Sequence, residues 1–156
     1  MSKLTPSALS FSELILEVFH LNGLALAAGE VLSNPSGLTS ARWQVLGVVD
    51  HGPVPVASVA RTMGLARQSV QLTADSLERD GFIEYVDNPH HRRARLIAIT
   101  DAGRKALRGV EARQATWANR LGERLEPATL RATLEGLRRV RELLEQDAVT
   151  LEPHKE

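Results

Sequence analysis

The chain has 156 residues, no Cys, 19 Lys plus Arg and 19 Asp plus Glu, giving a formal net charge of zero. That length suits one domain with a real core. The lack of Cys excludes disulfides, thiolate zinc sites and thiol-based redox sensing. No uninterrupted run of about 18 apolar residues occurs, and the first residues lack a basic stretch followed by an apolar one. Neither a transmembrane helix nor a signal peptide is expected, and the expected compartment is cytoplasmic.

Zero net charge argues at first against a nucleic-acid partner. The charges are unevenly placed, however. Residues 1–60 carry 2 basic and 4 acidic side chains, residues 61–113 carry 10 and 7, and residues 114–156 carry 7 and 8. Within residues 92–108, Arg92, Arg93, Arg95, Arg104, Lys105 and Arg108 are set against Asp101 alone. Salt screens charges beyond about 8–10 Å, so a local basic cluster acts despite a neutral whole.

In chain order, Ser10 and Glu13 have capping-box spacing, and Leu14, Val18, Leu21, Ala25, Ala28 and Leu32 recur every three or four residues. Ile15, Phe19 and Leu26 widen the stripe, so an amphipathic helix is predicted over 11–32, stopped by Asn34-Pro35-Ser36-Gly37. Thr39 caps a helix from Ser40 to about Asp50, with Trp43, Leu46 and Gly47 facing inward. After His51-Gly52-Pro53, Pro55 opens a short helix over 55–63, and Gly64 is placed to end it in a left-handed conformation. A helix from about Ala66 to Arg79 buries Val70, Ala74 and Leu77, and Gly81 ends it. This pair of helices is a helix-turn-helix pattern.

The period then changes. Residues 82–86 and 95–99 are short β-branched or aromatic runs, separated by eight polar residues that include Pro89. They form a hairpin with a long basic tip. Thr100 caps a helix that reaches about Glu123 with Leu107, Val110, Trp117 and Leu121 on its apolar side. Pro127 starts a last helix to about Ala148, lined by Leu130, Leu134, Leu137, Val140 and Leu144, and residues 149–156 form a polar tail. The fold class is therefore mainly α with a small β-hairpin (α+β), a winged helix-turn-helix flanked by helical arms.

Five segments, taken in order, resemble the MarR family of bacterial transcriptional regulators. They are Leu38-Thr39-Ser40-Ala41-Arg42-Trp43-Gln44-Val45-Leu46, Val59-Ala60-Arg61-Thr62-Met63-Gly64-Leu65, Leu77-Glu78-Arg79-Asp80-Gly81-Phe82-Ile83, Asn88-Pro89-His90-His91-Arg92-Arg93, and Ile99-Thr100-Asp101-Ala102-Gly103-Arg104. The resemblance covers about residues 10–148. It implies a single MarR-like domain over 1–156, with dimerisation helices at about 10–37 and 104–148 and a winged-helix lobe at about 38–103. It also implies a repressor that binds a near-palindromic operator as a homodimer and is released by a small ligand. No cofactor and no membrane partner are expected.

The second helix of the pair offers Arg67, Gln68, Ser69, Gln71, Leu72 and Thr73 to double-stranded DNA, and the hairpin offers Arg92, Arg93 and Arg95. Arg suits guanine, Gln suits adenine, and Arg favours a narrow minor groove. Arg93 matches the family's wing arginine. His91 stands where the family usually has an Asp that braces the wing, Leu72 stands where a basic residue is common, and Ala66 replaces a capping Ser or Thr. His90 and His91 beside phosphates would raise DNA affinity as pH falls from 8 to 6.

The apolar stripes over 11–32 and 127–148 exceed what one small winged helix can cover. Phe11, Leu14, Val18, Leu134, Leu137, Val140 and Leu144 are therefore expected at a homodimer interface. The resemblance places Phe19, His20, Trp43 and Trp117 near the family's ligand region, where a small aromatic or acyl ligand would stack. His20, His51 and His154 are scattered and show no metal-ligand spacing, so no metal is expected. No phosphate loop or nucleophile elbow suggests an enzyme. The alternative is a winged-helix module for protein–protein contact without specific DNA binding, separable by the salt dependence of DNA affinity.

Overall fold

The first helix is fixed by Thr5 and Pro6. The computed structural model, which describes residues 3–89 and 94–150, starts α1 at Pro6–Ser33. Thr5 Oγ1 accepts from the Ala8 N–H at 3.2 Å, and proline follows at the first helical position, where its missing N–H costs nothing. The expected start at residue 11 is thus too late, and Ser10 and Glu13 lie inside the helix rather than capping it.

A 3₁₀ turn, Asn34–Ser36, closes on Gly37 in the left-handed region (φ 70°). The helix α2 spans Ser40–Val49, and Thr39 caps it by accepting from the Arg42 N–H at 3.2 Å, as expected. Its inward face carries Val45, Leu46 and Val49, whereas Trp43 and Gly47 are only half-buried. The difference is one of phase. Helical spacing joins Leu46 to Val45 and Val49 as readily as to Trp43, and the core selects the first set.

Three strands form the sheet where two were expected. They are β1 Val54–Pro55, β2 Ile83–Val86 and β3 Leu96–Ile99, in the antiparallel order β1-β3-β2. Val54 pairs with Ile97 and Pro55 with Leu96, so proline sits on an edge strand, where its missing donor is tolerated. Pro55 then serves as N-cap of α3, Val56–Met63, which ends on Gly64 at φ 63°. The helix α4 spans Arg67–Arg79. In β2 and β3 the alternation turns Ile83 toward Ile99 and Tyr85 toward Ile97 on one face.

The core joins these pieces. Val45, Leu46 and Val49 of α2, Val59 of α3, Val70, Ala74 and Leu77 of α4, and Ile83 and Ile97 of the sheet are all buried. The helix α5, Asp101–Gly122, adds Leu107 and Val110. Thr100 caps it, accepting from the Gly103 N–H at 3.1 Å while donating to the Gly81 carbonyl at 2.7 Å. At the other end of this packed stretch, Arg113 Nε donates to the Leu32 carbonyl at 2.7 Å and its Nη2 to Ser36 Oγ at 2.6 Å. One carbonyl at the end of α1 thereby gains a side-chain donor.

The described residues fall into two compact units, one up to Gln114 and one from Ala115 onward. The second contains the end of α5 and the helix α6, Pro127–Thr150. Along α6, Leu130, Leu134, Leu143 and Leu144 are exposed, and Leu137 and Val140 are half-buried. Along α1 only Gly29, Leu32 and Ser33 are buried.

The stretch Pro6–Ser36 is long and apolar enough to cross a membrane by length and composition alone, although Glu17, His20, Asn22 and Glu30 interrupt it. The last turns of this helix nevertheless belong to the folded core. Glu30 Oε1 accepts from the Ser40 N–H at 2.9 Å, and a Cβ on Gly29 would stand 2.5 Å from Ser40 Oγ.

Gly103 is the tightest point of the fold. A Cβ there would lie 2.1 Å from the Phe82 carbonyl oxygen and 2.8 Å from Ile99 Cγ1. Gly103→Ala is expected to lower stability by about 3 kcal/mol in urea unfolding, since backbone must move to admit the methyl group. A loss below about 0.5 kcal/mol would show that α5 can shift at no cost.

Candidate nucleic-acid interface

The helix α4 has three distinct sides. Val70, Ala74 and Leu77 are buried. On the opposite side Gln68 is exposed and Leu72 is 66% exposed, while the first-turn residues Arg67 and Ser69 are exposed on the two flanks. Thr73 is half-buried, and its hydroxyl donates to the Ser69 carbonyl at 3.0 Å. No side chain caps the helix start at Ala66, as the replacement of Ser or Thr implies. The first-turn N–H groups of α4 therefore keep their affinity for an anion.

The third side faces the sheet. Gln71 and Asp75 are one turn apart, so they stand side by side. Gln71 Nε2 donates to Asp75 Oδ1 at 2.8 Å and to the Tyr85 hydroxyl at 2.8 Å. The Tyr85 hydroxyl donates in turn to Asp75 Oδ1 at 2.8 Å. Tyr85 reaches this position because strand alternation turns it the same way as buried Ile83. Partial burial, and next the hydrogen bond and negative charge of Asp75, push the Tyr85 phenol up from 10.0 to about 12, opposed by the Gln71 contact.

Arg95 completes the cluster from the base of the hairpin. Its Nη2 donates to the Tyr85 carbonyl at 2.6 Å, and its guanidinium carbon lies 5.2 Å from the centre of the Tyr85 ring. A cleft of about 430 Å³ opens here, lined in part by Arg67, Gln71, Asp75, Glu78, Tyr85 and Arg95. Arg92, Arg93, His90 and His91 lie outside the described residues.

The other end of α4 is held by Arg42, which sequence reasoning assigned no role. Its Nη2 donates to the Ser76 carbonyl at 2.9 Å and to the Asp80 carboxylate, and its Nη1 donates to the Gly37 carbonyl at 3.2 Å. The guanidinium also lies 5.6 Å from the centre of the Phe82 ring. The side chain is only 12% exposed. An arginine in the first turn of a largely apolar helix was the available signal. Nothing in the local spacing connects it with residue 80.

The four aromatic and histidine candidates are placed separately. Phe19 and His20 are neighbours on the exposed part of α1, Trp43 is half-buried on α2, and Trp117 is half-buried in the second unit. None of them lines the cleft beside α4. Among the described residues no group of three or more His, Asp or Glu is placed to hold a metal ion.

Comparison with known proteins gives this geometry a family. Residues 36–94, from the turn before α2 to the hairpin, match the MarR family. An uncharacterized protein of Mycobacterium tuberculosis is 40% identical over 129 residues, covering 83% of this chain and 90% of its own. CouR from Rhodococcus jostii RHA1, solved bound to p-coumaroyl-CoA, is 26% identical with a TM-score of 0.71, over 79% of this chain and 87% of its own. AbsC, a MarR family transcriptional regulator from Streptomyces coelicolor, shares the fold with a TM-score of 0.78 at 19% identity, over 94% and 99% of the two chains.

Tyr85 is the sole tyrosine of the chain, so its titration can be read directly from tyrosinate absorbance. The native protein should titrate at about 12, against the ordinary 10.0. Folding favours the neutral phenol, so this contribution to stability is complete below about pH 10 and is lost as pH rises through about 12. Asp75→Asn should bring the midpoint down toward 10. An unchanged midpoint in that variant would remove Asp75 as a cause.

Proposed function

Because the chain belongs to the MarR family of transcriptional regulators, we propose that it binds a near-palindromic operator in double-stranded DNA as a homodimer and acts as a cytoplasmic, ligand-released repressor. The observation that carries this reading is the exposed first turn of α4, where Arg67, Gln68 and Ser69 are open to solvent at the second helix of a helix-turn-helix. A helix of this kind fits the major groove, about 12 Å wide, and reads base edges from its first turns. In this assignment Arg67 and Gln68 read bases, Ser69 and Thr73 contribute polar contacts, and Arg92 and Arg93 carry the wing to the minor groove. Gln71 and Arg95 act chiefly by holding Tyr85, so they position α4 and the hairpin rather than read sequence.

The apolar arms supply the dimer. Phe11, Leu14, Leu134 and Leu144 are exposed in the single chain, and Val18, Leu137 and Val140 are half-buried. A second copy covers these rows and sets two recognition helices about one DNA turn, roughly 34 Å, apart. The same surface accounts for the apolar length of α1 without a membrane, because the end of that helix is bonded to the following segment through Glu30, which accepts from the Ser40 N–H, and the Ser33 carbonyl, which accepts from the Leu38 N–H. The organisation is then one MarR-like domain over 1–156, with 10–37 and 104–148 as dimerisation helices and 38–103 as the DNA-binding lobe. Family and fold are those of regulators and not of enzymes, and no cofactor is assigned.

The test is selection of duplexes from a random pool by the full-length chain, followed by affinity measurement across salt. Phosphate neutralisation gives a steep loss of affinity between about 50 and 200 mM salt. Arg93→Ala should weaken all sequences and lower the salt slope by about 1. Gln68→Ala should cost about 1–3 kcal/mol at one base pair and relax the preference there. Leu134→Glu should give the 17.1 kDa monomer in sedimentation, still folded, with weakened operator binding. Selection of no specific duplex at low salt would favour a protein-contact module instead.

The ligand assignment rests on the relation to CouR. An aromatic acyl-thioester such as p-coumaroyl-CoA, or a free aromatic acid, would stack on Phe19, Trp43 or Trp117, with His20 as a polar partner. Binding should raise the thermal midpoint by mass action and release the selected duplex. A ligand that stabilises the protein but leaves DNA affinity unchanged would count against release.

A further inference from the structure

Leu72 occupies the most outward position of the recognition helix. With Val70, Ala74 and Leu77 buried, a turn of about 100° per residue puts Gln68, Leu72 and Arg79 on the opposite side. Leu72 is 66% exposed, and outside α1 it is the most exposed large hydrophobic among the described residues. Exposure of a leucine is ordinary by itself. Its position is what matters, because its side neighbours on α4 are polar. Gln68 precedes it by one turn, Ser69 lies beside it, and Asp75 is already bonded to Gln71 and Tyr85.

We infer that Leu72 is a specificity-determining residue that reads the C5-methyl group of a thymine in the major groove. The inference rests on the DNA-binding reading above. A leucine side chain has neither donor nor acceptor, so it gains nothing from phosphate oxygens or from the polar edges of guanine, cytosine or adenine. The thymine methyl is the one apolar group presented by the four bases in that groove. Cytosine at the same position would set its amino donor against the side chain with no partner, which adds discrimination. Gln68 and Leu72 stand four residues apart, about 6 Å along the helix, which spans about two base-pair steps. The thymine read by Leu72 therefore lies within about two base pairs of the adenine suited to Gln68.

Deoxyuridine replaces thymine with loss of the methyl group alone, keeping base pairing and the O4 acceptor. The full-length protein first selects its operator from random duplexes, and each thymine is then replaced singly by deoxyuridine. At one thymine per half-site, close to the pair whose preference Gln68→Ala relaxes, wild type should lose about fourfold in affinity, the worth of one buried methyl-sized group. Leu72→Ala should lose about the same on the thymine operator and show no further loss with deoxyuridine at that position alone. Leu72→Met, which keeps an apolar side chain of similar size, should restore the sensitivity. Alanine is a good helix former, and unchanged circular dichroism confirms that α4 is retained. Methyl sensitivity that persists in Leu72→Ala, or is absent at every thymine, overturns the inference while leaving DNA binding in place. Failure to select any operator overturns the DNA reading and this inference with it.

Discussion

The orientation of α4 depends on Arg42. This guanidinium joins three chain segments that are far apart in sequence: the Gly37 turn, the last turn of α4 at Ser76 and Asp80, and Phe82 before the first hairpin strand. At 12% exposure its charge would be costly without such partners. It bonds the Gly37 carbonyl of the turn and adds a second donor to the Ser76 carbonyl, which also accepts from the Asp80 N–H. Arginine serves here because its fork reaches several acceptors at once, whereas a lysine ammonium would offer a single point of charge.

The middle of α4 is fixed in a different way. Gln71, Asp75 and Tyr85 share three hydrogen bonds of 2.8 Å, and Arg95 clasps the Tyr85 carbonyl and ring. One anchor is a buried cation at the helix end, and the other is a polar triangle between helix and sheet. Each ties α4 to a rigid element and leaves the Gln68 and Leu72 side unobstructed. Gly103 contributes from below, since its missing side chain lets α5 approach the Phe82 carbonyl, which also accepts from the Thr100 N–H at 3.1 Å. The loop that carries Phe82 is thus held by both Arg42 and the start of α5.

Much of this was legible because it is local. The cap at Thr39, the left-handed Gly64, the buried row Val70, Ala74 and Leu77, and the cap at Thr100 follow from spacing and residue type. The features that escaped are those that local spacing does not encode. Val54-Pro55 becomes a strand only because Ile97 and Leu96 lie across from it. Ser10 and Glu13 form a capping pattern that Thr5 and Pro6 pre-empt. Arg42 meets Asp80 across 38 residues, and Tyr85 meets Asp75 across ten. Tyr85 was the more accessible of the two, since strand alternation from Ile83 already turned its ring inward.

These anchors bear on how a chain of zero net charge can use its few cations. Arg42, Arg95 and Arg113 are engaged in internal hydrogen bonds, so part of the positive charge is structural. The exposed residues of the first two turns of α4 are then Arg67, Gln68, Ser69 and an apolar Leu72 rather than a row of cations. If that surface meets DNA as proposed, it gains less from counterion release than a basic one would, and a larger share of its binding energy depends on base edges. Non-specific adhesion draws on the first contribution alone. On the DNA-binding reading proposed above, moving charge inward to orient the helix and leaving short polar and apolar groups outward would raise discrimination between sequences even where total affinity falls.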